Sequence, residues 1–148
     1  MISSFSFKPI GVVHSPFKKK EDIDPQRNAD PHGFDGVEGE LEIFPEFEPG
    51  LKDIDGFSHL LIIFAFHQAG ESKLRAKPPL DDTVRGIFAT RSPHRPNPIG
   101  LTALRLLGRT KNILRVSGLD MIEGTPILDI KPYTAKDQKS DVKTGWIK

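Results

Sequence analysis

Residues 37–43, Val-Glu-Gly-Glu-Leu-Glu-Ile, alternate strictly between glutamate and residues that are apolar or glycine. Successive side chains of a β-strand point to opposite faces, so this alternation predicts a strand with one face buried and the other in water. Other short apolar segments follow at short intervals, and helical periodicity is weak along the chain. The sequence therefore predicts an all-β protein.

About seven strands are predicted in total. Besides 37–43 they cover residues 8–13, 57–66, 84–90, 101–107, 113–119 and 127–130. The segment 57–66 is nearly all apolar, as in a strand that is covered on both faces. Residues 109–112 fit a hairpin turn, and residues 47–54 and 69–79 each have room for a short helix. A closed or nearly closed antiparallel β-barrel would remove the exposed edges of so many strands.

Length and composition predict one domain that spans residues 1–148, with no repeat, low-complexity tract or linker. The chain has no cysteine, which excludes disulfides and thiolate metal sites, and its five histidines are too scattered to predict a metal site. No basic leader precedes a long apolar stretch, and the apolar run at residues 60–66 is too short to span a bilayer. We therefore expect a cytoplasmic protein without a membrane segment.

Charge is segregated along the chain although the net charge is only +1. Acidic residues dominate from residue 21 to 55, whereas residues 83–119 contain no acid and many arginines. If these cations converge in space, they create a local positive field for an anionic ligand or a nucleic acid. The alternative is an ordinary solvated strand face.

The run Phe-Ala-Thr-Arg-Ser-Pro-His-Arg-Pro-Asn-Pro-Ile-Gly, residues 88–100, lies inside this basic block. Its three prolines fix three φ angles and prevent regular strand or helix, so the loop is stiff. A stiff loop loses little entropy when a ligand docks on it. We interpret it as a binding loop. The alternative is a turn that covers the barrel end, with Arg91 and Arg95 paired to the acidic segment.

A second candidate is Leu-Asp-Met-Ile-Glu-Gly-Thr-Pro-Ile-Leu-Asp-Ile-Lys-Pro-Tyr, residues 119–133. Asp120, Glu123 and Asp129 surround its Gly-Thr-Pro turn, and carboxylates suit a ligand's amino group or ribose hydroxyls. An ordinary acidic turn is the alternative reading. The glycine-rich signatures of Rossmann dinucleotide sites and of phosphate-binding P-loops do not occur in the sequence.

Four blocks in this order resemble the TsaA-like family, also called TrmO: residues 10–17, 55–67, the proline-rich run 88–100 with the strand after it, and residues 119–133. The resemblance covers essentially the whole chain. It implies a β-barrel methyltransferase that uses S-adenosyl-L-methionine and is usually a homodimer. It also implies a tRNA anticodon loop as partner, with N6 of threonylcarbamoyladenosine at position 37 as the methyl acceptor.

The resemblance also implies the site residues. The implied cofactor contacts are Pro25, Gln26, His67, Gln68, Arg91, Leu101, Glu123, Gly124, Thr125 and Pro126. Pro25 and Gln26 stand where the family has Pro-Arg-Gln, since this chain reads Asp-Pro-Gln-Arg at that point. The implied tRNA contacts are Arg95, Asn97, Arg105, Arg109, Lys111, Arg115 and Tyr133.

In-line positioning of donor and acceptor carries much of such a methyl transfer, and neither a metal nor a nucleophilic residue is needed. His94 and Tyr133 are candidates for a base that removes the acceptor's proton, and no base is assigned. Bacterial members have an appended region beyond the Lys-Pro-Tyr motif that helps to hold tRNA, and only a short segment follows Tyr133 here. Two other functions stay open: a regulatory module that binds S-adenosylmethionine without transferring its methyl group, and a plain RNA-binding barrel.

Overall fold

The structure is a computed structural model that describes residues 1–147. Within these residues the chain forms strands β1 (Gly11–His14), β2 (Glu38–Ile43), β3 (His59–Ala65), β4 (Arg75–Ala76), β5 (Arg85–Gly86), β6 (Ile99–Thr110), β7 (Ile113–Ser117) and β8 (Pro126–Pro132). The connections contain the α-helix α1 (Pro25–Ala29) and the 3-10 helices Lys20–Asp22, Pro45–Leu51, Ile54–Gly56, Ile87–Ala89 and Ala135–Asp137. None of the helices within residues 1–147 has the length and apolar character needed to span a bilayer.

Six strands close into an antiparallel barrel in the order β1-β2-β7-β6-β3-β8, and β8 pairs with β1 to complete it. The predicted all-β barrel is thus confirmed, with six barrel strands where about seven were predicted. Strands β4 and β5 form a separate two-stranded sheet. Register shifts in β3 at Ile63 and in β6 at Leu106 mark irregularities where the ladder bends.

The predicted strand at residues 84–90 is wrong over most of its length. Only Arg85 and Gly86 are extended, and they pair with β4 rather than with the barrel. The chain then turns, because the hydroxyl of Thr90 donates to the carbonyl of Ile87 (2.8 Å) and the Thr90 amide donates to the same oxygen (3.1 Å). These local bonds replace strand pairing immediately before the proline-rich run.

The two helix predictions have different outcomes. Residues 45–51 and 54–56 are 3-10 helices, as the prediction at 47–54 allowed. Residues 69–79 contain no helix and are irregular apart from β4, because Pro78 and Pro79 follow shortly after Gly70. The hairpin prediction at 109–112 is confirmed by the β6–β7 connection, where Lys111 adopts a left-handed φ of 54°.

The barrel interior is filled by alternate side chains of its strands. In β3 the pattern is regular: Leu60, Ile62 and Phe64 point inward and are buried, while the residues between them are half-buried on the outer face. We predicted that both faces of β3 are covered. The inner face is fully buried, and the outer face is only half-buried. The buried apolar cluster consists of Val13, Leu41, Ile43, Leu51, Leu60, Ile62, Phe64, Leu104, Leu114, Val116, Leu119, Met121 and Ile127.

Three of the connections between strands lie at the same end of the barrel. Strands β1, β3 and β7 end there, and β2, β6 and β8 begin there. We call this the upper end; it is crossed by the connections 15–37, 66–98 and 118–125. The lower end carries the connection 44–58, the β6–β7 hairpin turn and the segment after β8.

Candidate functional site at the upper end of the barrel

The residues predicted to contact a cofactor lie at or beside the upper end, although the first and the last are just over a hundred positions apart along the chain. Each of the three connections contributes. Pro25 and Gln26 lie in the first, His67, Gln68 and Arg91 in the second, and Glu123, Gly124 and Thr125 in the third, while Pro126 begins β8 and Leu101 lies near the start of β6. Backbone hydrogen bonds hold these segments in place: the amide of Phe66 donates to Pro98 (2.8 Å) and so joins the two ends of the second connection, while those of Gly124 and Glu123 donate to Val13 (2.9 Å) and Phe17 (2.7 Å) and tie the third connection to β1 and the first.

The proline-rich loop is held rigid by its own side chains. One guanidinium nitrogen of Arg95 donates to the carbonyls of Thr90 (2.9 Å) and Ser92 (3.2 Å), and the Ser92 amide donates to the Thr90 hydroxyl (3.2 Å). Arg91, by contrast, is exposed. Among residues 1–147 neither Arg91 nor Arg95 has a carboxylate within 4.0 Å, so the expected alternative of pairing to the acidic segment does not occur. The Arg91 guanidinium keeps its donors for a ligand.

The turn at residues 122–125 is open at its tip. Gly124 has a φ of 83°, a backbone conformation that residues with a Cβ rarely adopt. Within residues 1–147 no atom lies within 4 Å of the position that a Cβ of residue 124 would take. Thr125 beside it is buried, and its hydroxyl donates to the carbonyl of Ile122 (2.7 Å). The turn therefore presents backbone rather than the Thr125 side chain.

The Glu123 carboxylate is engaged within the protein. Its oxygens accept hydrogen bonds from the Ser15 amide (2.8 Å) and the His14 ring (2.8 Å), and the other ring nitrogen of His14 lies 2.7 Å from Glu42. Hydrogen bonds to Glu42 and Glu123 raise the pKa of His14. Burial raises the pKa of Glu123, but the bonds from Ser15 and His14 outweigh it, so the net pKa is lowered. His14 and Glu123 thus tie the turn to the end of β1.

We expect His14→Gln to lower the free energy of unfolding by about 1 kcal/mol at mildly acidic pH, since these side chains are a third to two-fifths exposed and solvent screens the pair. Because the pKa of His14 is raised in the folded state, its contribution to the free energy of unfolding is complete below pH 6.5 and is lost as the pH rises through the folded-state pKa. The lowered pKa of Glu123 makes its contribution complete above pH 4.5 and lost as pH falls through its folded-state pKa. Urea denaturation of both proteins should thus give the largest difference between pH 4.5 and 6.5.

His32→Gln is the matched control, because the His32 side chain is 81% exposed and its ring pairs with Asp35 alone among residues 1–147. It should leave stability unchanged across the same pH range. An equal loss for His14→Gln at pH 6 and at about pH 9 would contradict the charged bridge.

Asp120 is a buried acid that the sequence did not single out from its acidic neighbours. One carboxylate oxygen accepts from the Thr102 hydroxyl at 3.3 Å, and the other is buried without a hydrogen-bond partner within residues 1–147. Burial raises the pKa of Asp120, although the Thr102 hydroxyl and the nearby positive charge of Arg91 counteract this in part. A buried acceptor that lacks a partner is rare and calls for a functional explanation. Asp120 lies within the electrostatic influence of Arg91 and therefore joins the candidate site.

Helix α1 is anchored next to the acidic turn. Asp24 caps it by accepting from the Gln26 amide (2.9 Å), and Pro25 occupies its first turn. The guanidinium of Arg27 lies over the rings of Phe17 (5.3 Å) and Phe34 (5.8 Å), and the carbonyl of Phe17 accepts the bond from Glu123. Pro25 and Gln26 themselves are exposed.

The predicted tRNA contacts are split between three places. Arg95 and Asn97 lie at the upper end, and Arg105 and Arg115 project from the outer faces of β6 and β7. Arg109, Lys111 and Tyr133 lie toward the lower end. Arg109 is already bonded there to the carbonyls of Lys111 (2.7 Å) and Leu51 (3.2 Å). The structure does not bring the whole set together.

The two candidate bases lie in different parts of the barrel. Tyr133 follows β8 at the lower end and packs against His59 with ring centroids 6.1 Å apart. His94 lies in the proline-rich loop, but its Nδ1 is buried without a partner among the described residues and faces Gly70. Residues 1–147 also contain no group of three His, Cys, Asp or Glu that could hold a metal ion.

Known proteins are similar to this chain over most of its length. Residues 12–138 match the family model of the tRNA-methyltransferase O N-terminal domain. A probable S-adenosyl-L-methionine-binding protein of Pyrococcus abyssi is 46% identical over 142 residues, which cover 95% of this chain and 75% of that protein. The tRNA (adenine(37)-N6)-methyltransferase of Escherichia coli is 39% identical, over 89% of this chain and 59% of that protein.

The crystal structure of TrmO from Pseudomonas aeruginosa superposes with a TM-score of 0.75 at 36% identity and covers 97% of this chain and 62% of that one. The chain thus spans three quarters of the archaeal relative and about three fifths of the two bacterial proteins.

Proposed function

The chain belongs to the family of the tRNA-methyltransferase O N-terminal domain, and from this premise we propose that it methylates N6 of adenine 37 in tRNA with S-adenosylmethionine as donor. One observation carries the proposal: Arg91, Leu101 and the Gly124 turn all belong to segments at the same end of the barrel. Threonylcarbamoyladenosine in the anticodon loop is the acceptor we propose, following the resemblance seen in the sequence.

The residues at the upper end fit the cofactor's chemistry. Arg91 offers an unpaired guanidinium fork for a carboxylate, the open Gly124 turn offers backbone groups, and Leu101, 54% exposed, offers an apolar surface. The sulfonium supplies an activated methyl group and leaves as a neutral thioether. The chain's part is to hold donor and acceptor in line, a contribution worth about 7–11 kcal/mol in favourable intramolecular cases.

In the proposed reaction the N6–CH3 bond forms as the S–CH3 bond breaks, and the proton on N6 must leave. Asp120 is close enough to Arg91 for the guanidinium charge to lower the pKa of its carboxyl, but the carboxylate oxygen without a partner is buried. We therefore assign it the role of balancing the charge of Arg91, and water takes the proton.

The outer face of β6 links the cofactor end to the cations. Leu101 and Arg105 are four residues apart and share this face, so about 13 Å separates them along the strand. Arg105 lines a groove of about 360 Å³ with Asp35, His59 and Ser117. The position of Arg105 supports an approach of the RNA along this face.

We expect the double substitution Arg105→Ala and Arg115→Ala to weaken tRNA binding. Two lost phosphate contacts should also reduce the slope of log affinity against log salt by about 1.4 to 1.8, depending on whether the contacted RNA is single- or double-stranded. Fluorescence anisotropy over a salt series measures both quantities. Lys136→Ala, an exposed cation at the lower end, is the control and should change neither. An unchanged slope in the double variant would remove these arginines from the RNA surface.

The activity test has two steps. Isothermal titration should detect binding of S-adenosylmethionine, and mass spectrometry of nucleosides from tRNA incubated with enzyme and cofactor should detect a methyl group on the modified adenosine. Cofactor binding without methyl transfer would favour the alternative, a binding module, in keeping with the archaeal relative, a probable S-adenosyl-L-methionine-binding protein. RNA binding without cofactor binding would favour a plain RNA-binding barrel.

We also propose that the chain is a single barrel domain that acts in the cytoplasm as a homodimer. The upper part of the outer face of β3 and β6, beside the part around Arg105 that we assign to RNA, supports a dimer, since Ile99 is exposed there opposite Ala65. Sedimentation equilibrium of the protein and of Ile99→Glu tests this, because the variant should dissociate; a monomeric parent protein would contradict the dimer.

A further inference from the structure

The short helix Ile87–Ala89 directs two neighbouring apolar side chains in opposite directions. Ile87 is 1% exposed, whereas the ring of Phe88 next to it is 77% exposed. Successive residues of a 3-10 helix are about 120° apart, so anchoring Ile87 in the interior turns Phe88 outward. The ring lies three residues before Arg91, at the head of the proline-rich loop.

The exposed ring is accompanied by a fixed cation. The Arg95 guanidinium lies 6.0 Å from the centroid of the Phe88 ring, and its bonds to the carbonyls of Thr90 and Ser92 hold it there. A planar guanidinium and an aromatic ring are the two kinds of side chain on which unpaired bases stack. Here both are preorganised on one stiff loop.

A second stack braces the same helix. The Trp146 indole donates to the carbonyl of Ala89 (2.7 Å), and the guanidinium of Arg85 lies 5.0 Å from the indole ring. Arg85 is held in turn by Asp81 at 3.0 Å. Two aromatic–guanidinium pairs therefore lie at helix 87–89: Phe88 with Arg95, and Trp146 with Arg85.

We propose that Phe88, with Arg95 beside it, is a stacking platform for an unpaired base of the RNA substrate. This inference rests on the proposed function and adds a recognition site to it. No acid occurs between Thr83 and Leu119, so the phosphates on either side of the stacked base meet cations and no carboxylate from this stretch of the chain.

RNA fits this surface better than two other occupants. A cofactor's adenine is normally enclosed in a concave pocket, and a ring that is 77% exposed on a loop does not provide one. A second copy of the chain would bring another cationic loop against Arg85, Arg91 and Arg95, which disfavours contact there.

The test replaces Phe88 with leucine, which keeps an apolar side chain but removes the π-face, and with tryptophan, which keeps it. Anisotropy with a fluorescein-labelled anticodon stem-loop RNA should show binding about tenfold weaker for Phe88→Leu and within about threefold of the parent for Phe88→Trp. The salt slope should not change, because stacking releases no counterions. Phe5→Leu, the same change at a ring that is 75% exposed at the start of the chain, should bind like the parent.

Three results would overturn the platform while leaving the proposed function intact: parent-like RNA binding by Phe88→Leu, a loss of S-adenosylmethionine affinity in that variant, or a change in its oligomeric state by sedimentation velocity. The first result would leave the Phe88 ring without a ligand. The second would assign the ring to the cofactor, and the third to a contact with a second copy of the chain. A parent protein that binds no tRNA would instead overturn the proposed function, and the platform with it.

Discussion

Arg91→Ala is expected to weaken binding of S-adenosylmethionine by about 10- to 100-fold, the largest functional effect of any substitution considered. The guanidinium is exposed and has no carboxylate within 4.0 Å among residues 1–147, so its donors are available to the ligand's carboxylate. Hydrogen bonds to charged groups contribute about 1.5–3 kcal/mol, which corresponds to this range of affinity. Isothermal titration of both proteins measures it.

Two further variants separate geometry from charge. Arg91→Lys keeps the charge but loses the planar fork, so it should recover only part of the affinity. Arg75→Ala removes an equally exposed arginine from β4 in the same connection and should leave cofactor binding unchanged. Because Arg91 is on the surface, its loss should change the free energy of unfolding by less than about 0.5 kcal/mol. Parent-like affinity in Arg91→Ala would remove the central residue from the proposed site.

Gly100→Ala is expected to lower the free energy of unfolding by about 3 kcal/mol, the largest effect on stability. A Cβ at this position would come closer than 3.0 Å to three ring carbons of Phe64. That ring is 5% exposed and packs edge-on against Phe66 with centroids 5.1 Å apart, so it has little room to move. Urea denaturation followed by circular dichroism measures the loss.

Gly108→Ala is the matched control on the same strand, because no described atom lies within 4 Å of the place its Cβ would take. It should leave stability nearly unchanged. Combining Gly100→Ala with Phe64→Leu should give a loss smaller than the sum of the two single losses, because the smaller side chain relieves the clash. Strict additivity in this pair would place the cost of Gly100→Ala somewhere other than the Phe64 ring.

Much of the barrel was predictable from local patterns. Alternation at residues 37–43 predicted β2 nearly to its ends, and the turn residues at 109–112 predicted the β6–β7 hairpin. Both signals depend on neighbouring residues alone, because side chains on a strand alternate whatever strand pairs with it. Residues 84–90 were also predicted to form a strand, but most of them form a turn. The hydrogen bond from the Thr90 hydroxyl to the Ile87 carbonyl competes with strand pairing there.

The candidate site was predictable only as a set of residue types. The proline-rich run and the acidic turn were both recognised as binding segments in the sequence, and the resemblance supplied the residues within them. Sequence could not separate Arg105, which is exposed on β6, from Arg109, whose guanidinium is bonded to Leu51 and Lys111. Sequence named Asp120 only as one of three acids around the turn and gave Phe88 no role of its own, because burial and exposure depend on distant parts of the chain.

By itself the sequence determined most of the extended segments, where the chain is stiff and how the charges are distributed along it, because these depend on φ restrictions and on side chains a few positions apart. Only the tertiary structure decided that β8 closes on β1, that three connections meet at one end, and which arginines remain free. Barrel closure pairs residues more than a hundred positions apart, such as Gly11 with Ile127. The free energy of such pairings belongs to the whole sheet, and no local pattern contains it.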